Sequence, residues 1–346
     1  MWSYIARRLL ASIPVYLGII LIVMAALRVR DPVYAYLGKN ANPEMIAAKR
    51  EAMGLNDPFL VQYATFMKRI VTLNFGDSKS DKPQDRFESW KYAGQTVGQK
   101  LKEAVGPSLS LTLPELFLTT SISIFVGMIC AYFRGSLLDR TLMFLVVLGM
   151  SVSVLVFIIL GQKFGGFWLK DKFGIDWFAS NGFEPWITWS DKPVLGFIPY
   201  PTRFSPATWA HYCLLPVLTY VLVGMGYDTR FYRAVMVEET SRDYIITALA
   251  KGAPRPKIMF VHMLKNAMIP IITRVMITLP FLIAGSILLE YQYRIPGMGK
   301  LIIDAIKDKD FPIIQTFTAV FAAVFILTNI LTDVLYALVD PRVRLS

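Results

Sequence analysis

The chain has 346 residues, 55% of them hydrophobic, and a mean hydropathy of +0.48. Its apolar residues are gathered into long, almost charge-free blocks, which excludes a soluble globular domain, where they would follow amphipathic patterns. The net charge of +11 does not mark a nucleic-acid binder, because Lys and Arg collect at block ends, where cytoplasmic loops hold them, and no basic region is interleaved with stacking aromatics.

The first block runs from about Leu9 to Leu27 behind Arg7 and Arg8. It is too long for a signal peptide and no small-residue cleavage site follows, so it is expected to be an uncleaved helix with a cytoplasmic N-terminus, bent at Pro14. A polar stretch of residues 31–110 comes next. It holds an amphipathic segment at Pro43 to Met53, a turn at Gly54 to Pro58, a second periodic segment at Phe59 to Leu73 and a turn at Asn74 to Ser78. Its basic and acidic residues are mixed, and long loops are largely exempt from the charge rule, so it is placed outside as a periplasmic cap.

Block two spans about Leu111 to Phe133 with Pro114 in its first turn, where proline is tolerated. The Arg134 to Arg140 turn is basic and hence cytoplasmic. Block three covers about Thr141 to Phe164, and an irregular aromatic stretch, 165–206, follows. Trp168, Trp177, Trp186, Trp189 and Trp209 are read as interfacial indoles in preference to a sugar- or peptide-binding platform. Block four covers about His211 to Phe231. A charged cytoplasmic loop, 232–266, leads to block five, about Ala267 to Glu290, and an external loop from Tyr291 to Phe311 leads to block six, about Pro312 to Leu338. The expected class is all-α, a polytopic protein with about six membrane spans. Its parts are an N-terminal helix (1–30), a periplasmic cap (31–110) and a five-helix core (111–346), with both termini cytoplasmic. The absence of an internal repeat weakens an inverted-repeat secondary transporter.

Catalytic and metal chemistry find no support. Cys130 and Cys213 lie in or beside apolar blocks as small hydrophobes. His211 and His262 are far apart, without the carboxylates or thiols of a metal site. Gly297-Met298-Gly299-Lys300-Leu301 lacks the spacing and the Ser/Thr of a phosphate loop and is expected to be a turn. No nucleophile motif stands in a supporting context, so neither a catalytic residue nor a cofactor is assigned. Intramembrane polar residues are the remaining candidates. Glu115, Asp228 and Glu290 are expected to snorkel or pair near helix ends. Arg274 and Asp333, with Asn329 and Tyr336 at helical spacing from Asp333, are candidates for a pore or for helix pairing.

The loop itself carries most information. A helix from about Glu238 is stopped at Gly252, with Pro254 and Pro256 enforcing the break, and a second helix starts near Lys257. Two short helices on a glycine turn suit docking in another protein, although a plain connector is not excluded by this pattern. Asp243-Tyr244-Ile245, Ala248-x-Ala250-Lys251-Gly252 and His262-x-x-x-Asn266-Ala267-Met268-x-Pro270 resemble the coupling loop of dipeptide/oligopeptide/nickel ABC-importer permeases. So, in the same order along the chain, do Tyr4-Ile5-x-Arg7-Arg8-Leu9-Leu10, Gly54-Leu55-Asn56-Asp57-Pro58, Phe75-Gly76-Asp77-Ser78, Pro296-Gly297-Met298-Gly299, Asp310-Phe311-Pro312 and Val339-Asp340-Pro341-Arg342. The generic Glu-Ala-Ala signature stands here as Ile246-Thr247-Ala248, and the turn after the first helix is reduced to Arg30-Asp31-Pro32.

The resemblance implies a type I importer permease of the kind with a large periplasmic loop, in a bacterial inner membrane. It implies a second homologous permease, two ABC ATPase subunits that hydrolyse the ATP, and a periplasmic or lipid-anchored substrate-binding protein. Tyr244, Ala248, Ala250, Lys251, Gly252, Asn266 and Pro270 would then form the ATPase-coupling loop. The cargo would be a di- or oligopeptide or a related small solute. The alternative is a stand-alone secondary transporter or channel.

Overall fold

The computed structural model describes residues 2–29, 42–52, 55–76, 87–92, 94–189 and 201–339, together with Val33 and Leu37. The motif residues Arg30, Asp31, Pro32, Gly54, Asp77, Ser78, Asp340, Pro341 and Arg342 lie outside them. The first elements are α1 (Trp2–Leu27), α2 (Pro43–Ala52), α3 (Phe59–Val71), α4 (Val97–Tyr132) and α5 (Leu137–Ser151). After α5 comes α6 (Val154–Phe173), then a hairpin of β1 (Ile187–Trp189) and β2 (Pro201–Phe204), and α7 (Pro206–Glu239). The loop region holds α8 (Asp243–Ala250) and α9 (residues 255–266), followed by α10 (Met268–Ala284) and α11 (Ile287–Gln292). The chain closes with α12 (Met298–Asp308) and α13 (Phe311–Val339).

Among the described residues, five segments are long and apolar enough to cross a bilayer: Arg7–Leu27, Val97–Tyr132, Pro206–Glu239, Met268–Gln292 and Phe311–Tyr336. The pair α5 and α6 makes a sixth if counted as one broken span. The chain is therefore a multi-pass membrane protein.

Several boundaries differ from the sequence expectation, each for a physical reason. Helix α4 starts at Val97, not Leu111, because the Thr96 hydroxyl caps the Gln99 N–H (3.2 Å) and the stripe Val97, Leu101, Ala104 buries itself against protein. At 36 residues it is about 54 Å long, well beyond the roughly 30 Å hydrocarbon layer. Pro114 thus sits in the helix interior, as does Pro107.

Block three is not one rod. Its two helices bend by 90° after Val152, where Ser153 accepts a hydrogen bond from the Leu155 N–H and starts α6. Block five breaks at Gly285, whose φ is 76°. The expected external loop after Tyr291 contains the amphipathic helix α12, with Met298, Ile302 and Ala305 buried on one side. The Gly297–Leu301 segment is the start of that helix rather than a free turn. Block four continues as helix to Glu239, so the connecting loop begins near Thr240 rather than at Tyr232.

The chain forms two compact units. The first comprises Met1–Gly106 and Pro296–Ile330. In it Ile20 and Met24 of α1 pack with Phe66 of α3 and Ala319 of α13, while the Tyr63 hydroxyl donates to the Leu17 carbonyl (2.9 Å) and Tyr16 to that of Ala319 (3.1 Å). A second cluster joins Val97, Leu101 and Ala104 to Met298, Ala305 and Ile313. The fully buried Asp310 accepts from the Ser89 hydroxyl and from the N–H groups of Trp90 (3.2 Å) and Lys91 (3.3 Å).

The second unit comprises Pro107–Ile295 and Leu331–Ser346. Helix α7 is its axis, and it lies so close to α5 that a Cβ on Gly226 would fall 2.5 Å from the Met150 Cβ and one on Gly149 3.2 Å from the Leu222 carbonyl. Small residues of this kind allow the backbone approach on which helix association in lipid depends. Trp186 and Trp209 donate their indole N–H groups to the Ser110 hydroxyl (2.7 Å) and carbonyl (2.9 Å). Their polar edges are thus bonded to protein, whereas Trp168 and Trp177 are exposed, as interfacial indoles would be.

Asp310→Ala should leave the three donors around that carboxylate unsatisfied, at a cost on the order of 3 kcal/mol. We expect a lower thermal unfolding midpoint for the detergent-solubilised protein, with Asp310→Asn, which keeps an acceptor oxygen, losing less. An unchanged midpoint for Asp310→Ala would remove the anchoring role.

Candidate functional site

The loop between α7 and α10 is ordered by local backbone chemistry. Helix α7 ends at Thr240, and the Arg242 guanidinium pairs with Glu238 (2.7 Å). Helix α8 then runs eight residues and stops in a double backbone cap, with the Ala253 N–H donating to the Ala248 carbonyl (3.1 Å) and the Gly252 N–H to that of Leu249 (2.9 Å). This cap needs a left-handed residue at its centre, and Gly252 supplies it with φ 74°. Pro254 precedes α9, which includes a π-helical turn over Ile258–Met263 and leads through Ala267 into α10.

One face of α8 is seated on protein. Ile245 is buried in a cluster with Met128 and Ala131 of α4, Tyr232 and Met236 of α7, Ile258, Met259 and Met263 of α9, Ala267, and Ile271 of α10; Tyr244 and Ala248 pack at its edge. The Tyr244 hydroxyl donates to the Glu239 carboxylate (2.5 Å), and the Asn266 amide reaches the same hydroxyl. Burial, followed by the bond to Glu239, pushes this hydroxyl up to about 12, so it remains protonated at neutral pH. On the flank adjoining Ile245, two apolar side chains are exposed: Ile246 is 63% and Leu249 51% accessible. Ala250, Lys251 and Gly252 are exposed beside it.

Deeper in the unit, Arg274 of α10 donates its Nε to Asp228 Oδ1 of α7 (2.9 Å), with Nη2 2.8 Å from the same oxygen. One residue earlier on α10, the Thr273 and Tyr336 hydroxyls lie 2.5 Å apart. Arg233 of α7 grips Asp139 of α5 with two bonds of 2.8 Å. At the α10–α11 break, the freed Ser286 N–H goes to Glu290 Oε1 (3.1 Å), which also accepts from the Ser108 hydroxyl (2.7 Å). The Leu282 carbonyl, which would otherwise accept from Ser286, takes the Thr112 hydroxyl of α4 (3.0 Å).

The structure thus brings Tyr244 and Asn266 together, places Ala248 against the cluster, and sets Ala250, Lys251 and Gly252 on the exposed rim. Pro270 lies in the first turn of α10. Arg274 is paired with Asp228, and Asp333 is half-buried near Tyr336 on α13. Asn329 is exposed and belongs to the other unit. Glu290, expected near an interface, is instead fully buried, because it satisfies the helix break. Sequence reasoning missed Ile246 and Leu249, although their i, i+3 spacing, beside the Ile245 and Ala248 stripe, was a usable signal. It also missed the Asp139–Arg233 pair, whose members are 94 positions apart.

Comparison with known proteins identifies the family. Residues 123–345 match the family model described as binding-protein-dependent transport system inner membrane component, and residues 1–104 match the N-terminal model of the same kind of component. A probable peptide ABC transporter permease protein of Sinorhizobium fredii is 32% identical across 99% of this chain and all of its own length. A dipeptide transport system permease protein of Alkalihalophilus pseudofirmus is 31% identical over 99% of this chain and all of its own length. An oligopeptide transport system permease protein of Bacillus subtilis is 29% identical, with 99% of each chain covered. This chain belongs to the family of binding-protein-dependent transport system inner membrane components.

Proposed function

We propose that the chain is one permease subunit of an ATP-driven importer that carries di- or oligopeptides across a bacterial inner membrane. In this reading it pairs with a second homologous permease, receives cargo from a periplasmic or lipid-anchored binding protein, and draws on two ATPase subunits for hydrolysis. The observation that carries the reading is α8, which is fixed on its inner face to α4, α7, α9 and α10 and apolar on its free face. Such a helix is a handle. A partner that grips Ile246 and Leu249 moves whatever Ile245 is packed against. The full-length relatives named for peptide transport support the cargo class. An alternating passage shifts only when something binds its states with different free energies, and ATP on the partner subunits would supply that difference.

The direct test is copurification with the cognate ATPase. Leu249→Asp should reduce recovery of the ATPase at least about tenfold, the loss of roughly 1.4 kcal/mol or more of binding, while the permease stays inserted. Gly252→Val should keep the protein in the membrane but abolish transport, since a non-glycine residue in the left-handed region costs about 1–2 kcal/mol of strain. No neighbour lies within 4 Å of a Cβ there, so the effect would be conformational and not steric. Failure of the wild-type chain to retain any ATPase would favour a stand-alone transporter or channel.

Orientation is tested separately. With both termini and residues 240–266 cytoplasmic and the 31–110 segment periplasmic, Ser80→Cys should react with a membrane-impermeant thiol reagent in intact cells, whereas Ser241→Cys should react only after permeabilisation. The native Cys130 and Cys213 are buried, so background labelling should be low. The reverse pattern would invert the topology.

A further inference from the structure

The Arg233–Asp139 pair sits where three parts of the second unit meet. Asp139 is 3% exposed and accepts two guanidinium bonds of 2.8 Å as well as the Gly135 N–H (3.0 Å) of the turn before α5. On α7, Arg233 directly follows Tyr232 and lies three residues before Met236; both of those side chains are fully buried in the cluster that holds Ile245 of α8. On α4, a Cβ at Gly127 would fall 3.0 Å from the Arg233 backbone nitrogen and 3.1 Å from the Tyr232 Cβ. One and a half to two turns away from Arg233, Gly226 presses on Met150 of α5.

A partly buried ion pair is weak as a source of stability, because desolvating both charges offsets their attraction and an apolar pair would serve as well. What a two-pronged guanidinium–carboxylate contact adds is fixed geometry. Here it fixes α7 to the first turn of α5 immediately beside the residues on which the loop helix rests. The glycine contacts fix the same two helices further along. By contrast, the ion pair linking α10 to α7, Arg274 with Asp228, uses a single carboxylate oxygen.

We propose that Arg233 and Asp139 are positioning residues for coupling: their pair makes α5 and α7 move as one body when the 240–266 loop is displaced. The proposal rests on the importer reading above, since it requires a partner that displaces the loop. The movement enters through Ile245 and the Tyr232–Met236 turn. It passes to α5 through the pair, so that loosening the pair lets the loop shift without carrying α5 with it. Uncoupling, not unfolding, is the expected consequence.

The experiment uses the complete importer, with its partner chains, in proteoliposomes. It records ATP hydrolysis and uptake of a labelled tripeptide for the wild type, Arg233→Gln, Asp139→Asn, Arg233→Lys and the exchanged double variant Arg233→Asp/Asp139→Arg. The two neutralising variants should copurify with the ATPase and hydrolyse ATP, but transport at least about tenfold less peptide per ATP, within the usual range of coupling energies. Arg233→Lys, which keeps the charge without the fork, should fall between. The exchanged variant should recover at least about half of the ratio by restoring the pair. Unchanged transport per ATP in the neutralising variants overturns the proposal, as does a parallel loss of yield, ATPase and transport, which would mark the pair as merely structural. A wild-type complex that holds no ATPase removes the importer reading and this proposal together, whereas a coupled wild type with coupled variants removes this proposal alone.

Discussion

Hydrocarbon offers no water to a backbone group released from a helix, so each interruption of a span must bring its own partners. The α10–α11 break shows this constraint at work. Gly285 ends one helix, and one donor and one acceptor that lose each other there, the Ser286 N–H and the Leu282 carbonyl, are taken up by Glu290 and by Thr112. Glu290 is in turn held by Ser108. A carboxylate that hydropathy marks as a misplaced charge is thereby the group that lets the chain change direction inside the protein. The bend between α5 and α6 uses a lighter version of the same solution, with the Ser153 hydroxyl taking the Leu155 N–H.

The same constraint explains how the second unit holds together. Lipid tails are as apolar as Leu, so apolar side chains do not by themselves drive span against span; close packing and polar links do. Helix α7 uses both along one length. Glycines at 149 and 226 bring it against α5, and Asp228 and Arg233 tie it to α10 and α5. The polar links are specific about partner and register in a way that glycine contacts are not. Outside the spans, ordinary amphipathic burial returns: α12 places Met298 and Ala305 with Val97, Leu101 and Ala104 at helical spacing, as in a water-soluble protein.

The importer reading proposed above gives these features a common purpose. The loop helix α8 is small and mostly uncharged, yet it is the element with one face on four helices and one apolar face free. Its inner face belongs to the fold, and in the importer proposed above its exposed apolar flank would meet the ATPase. A motif residue such as Gly252 then has a concrete task, since it closes the cap that sets the length of the handle. Asp310, a residue of another of the motifs, holds the 89–91 segment.

What the sequence determined by itself was everything governed by local composition. The membrane class, the rough course of the apolar segments, the periodic segments expected at 43–53 and 59–73, and the stop at Gly252 followed from apolar run length, helical period and glycine chemistry, all carried by neighbouring residues. The order of motifs from Tyr4 to Arg342 likewise identified the kind of protein. Only the tertiary structure decided which residues those spans meet. Hydropathy marks where a chain prefers lipid, so it could not see that α4 continues as helix to Val97 on protein contacts. It could not see that block three is broken, or that Glu290 faces inward. The pairs Asp139–Arg233 and Asp228–Arg274 join positions 94 and 46 apart. Each partner alone reads as an isolated charge near a helix end, because its meaning lies in a neighbour brought to it by folding.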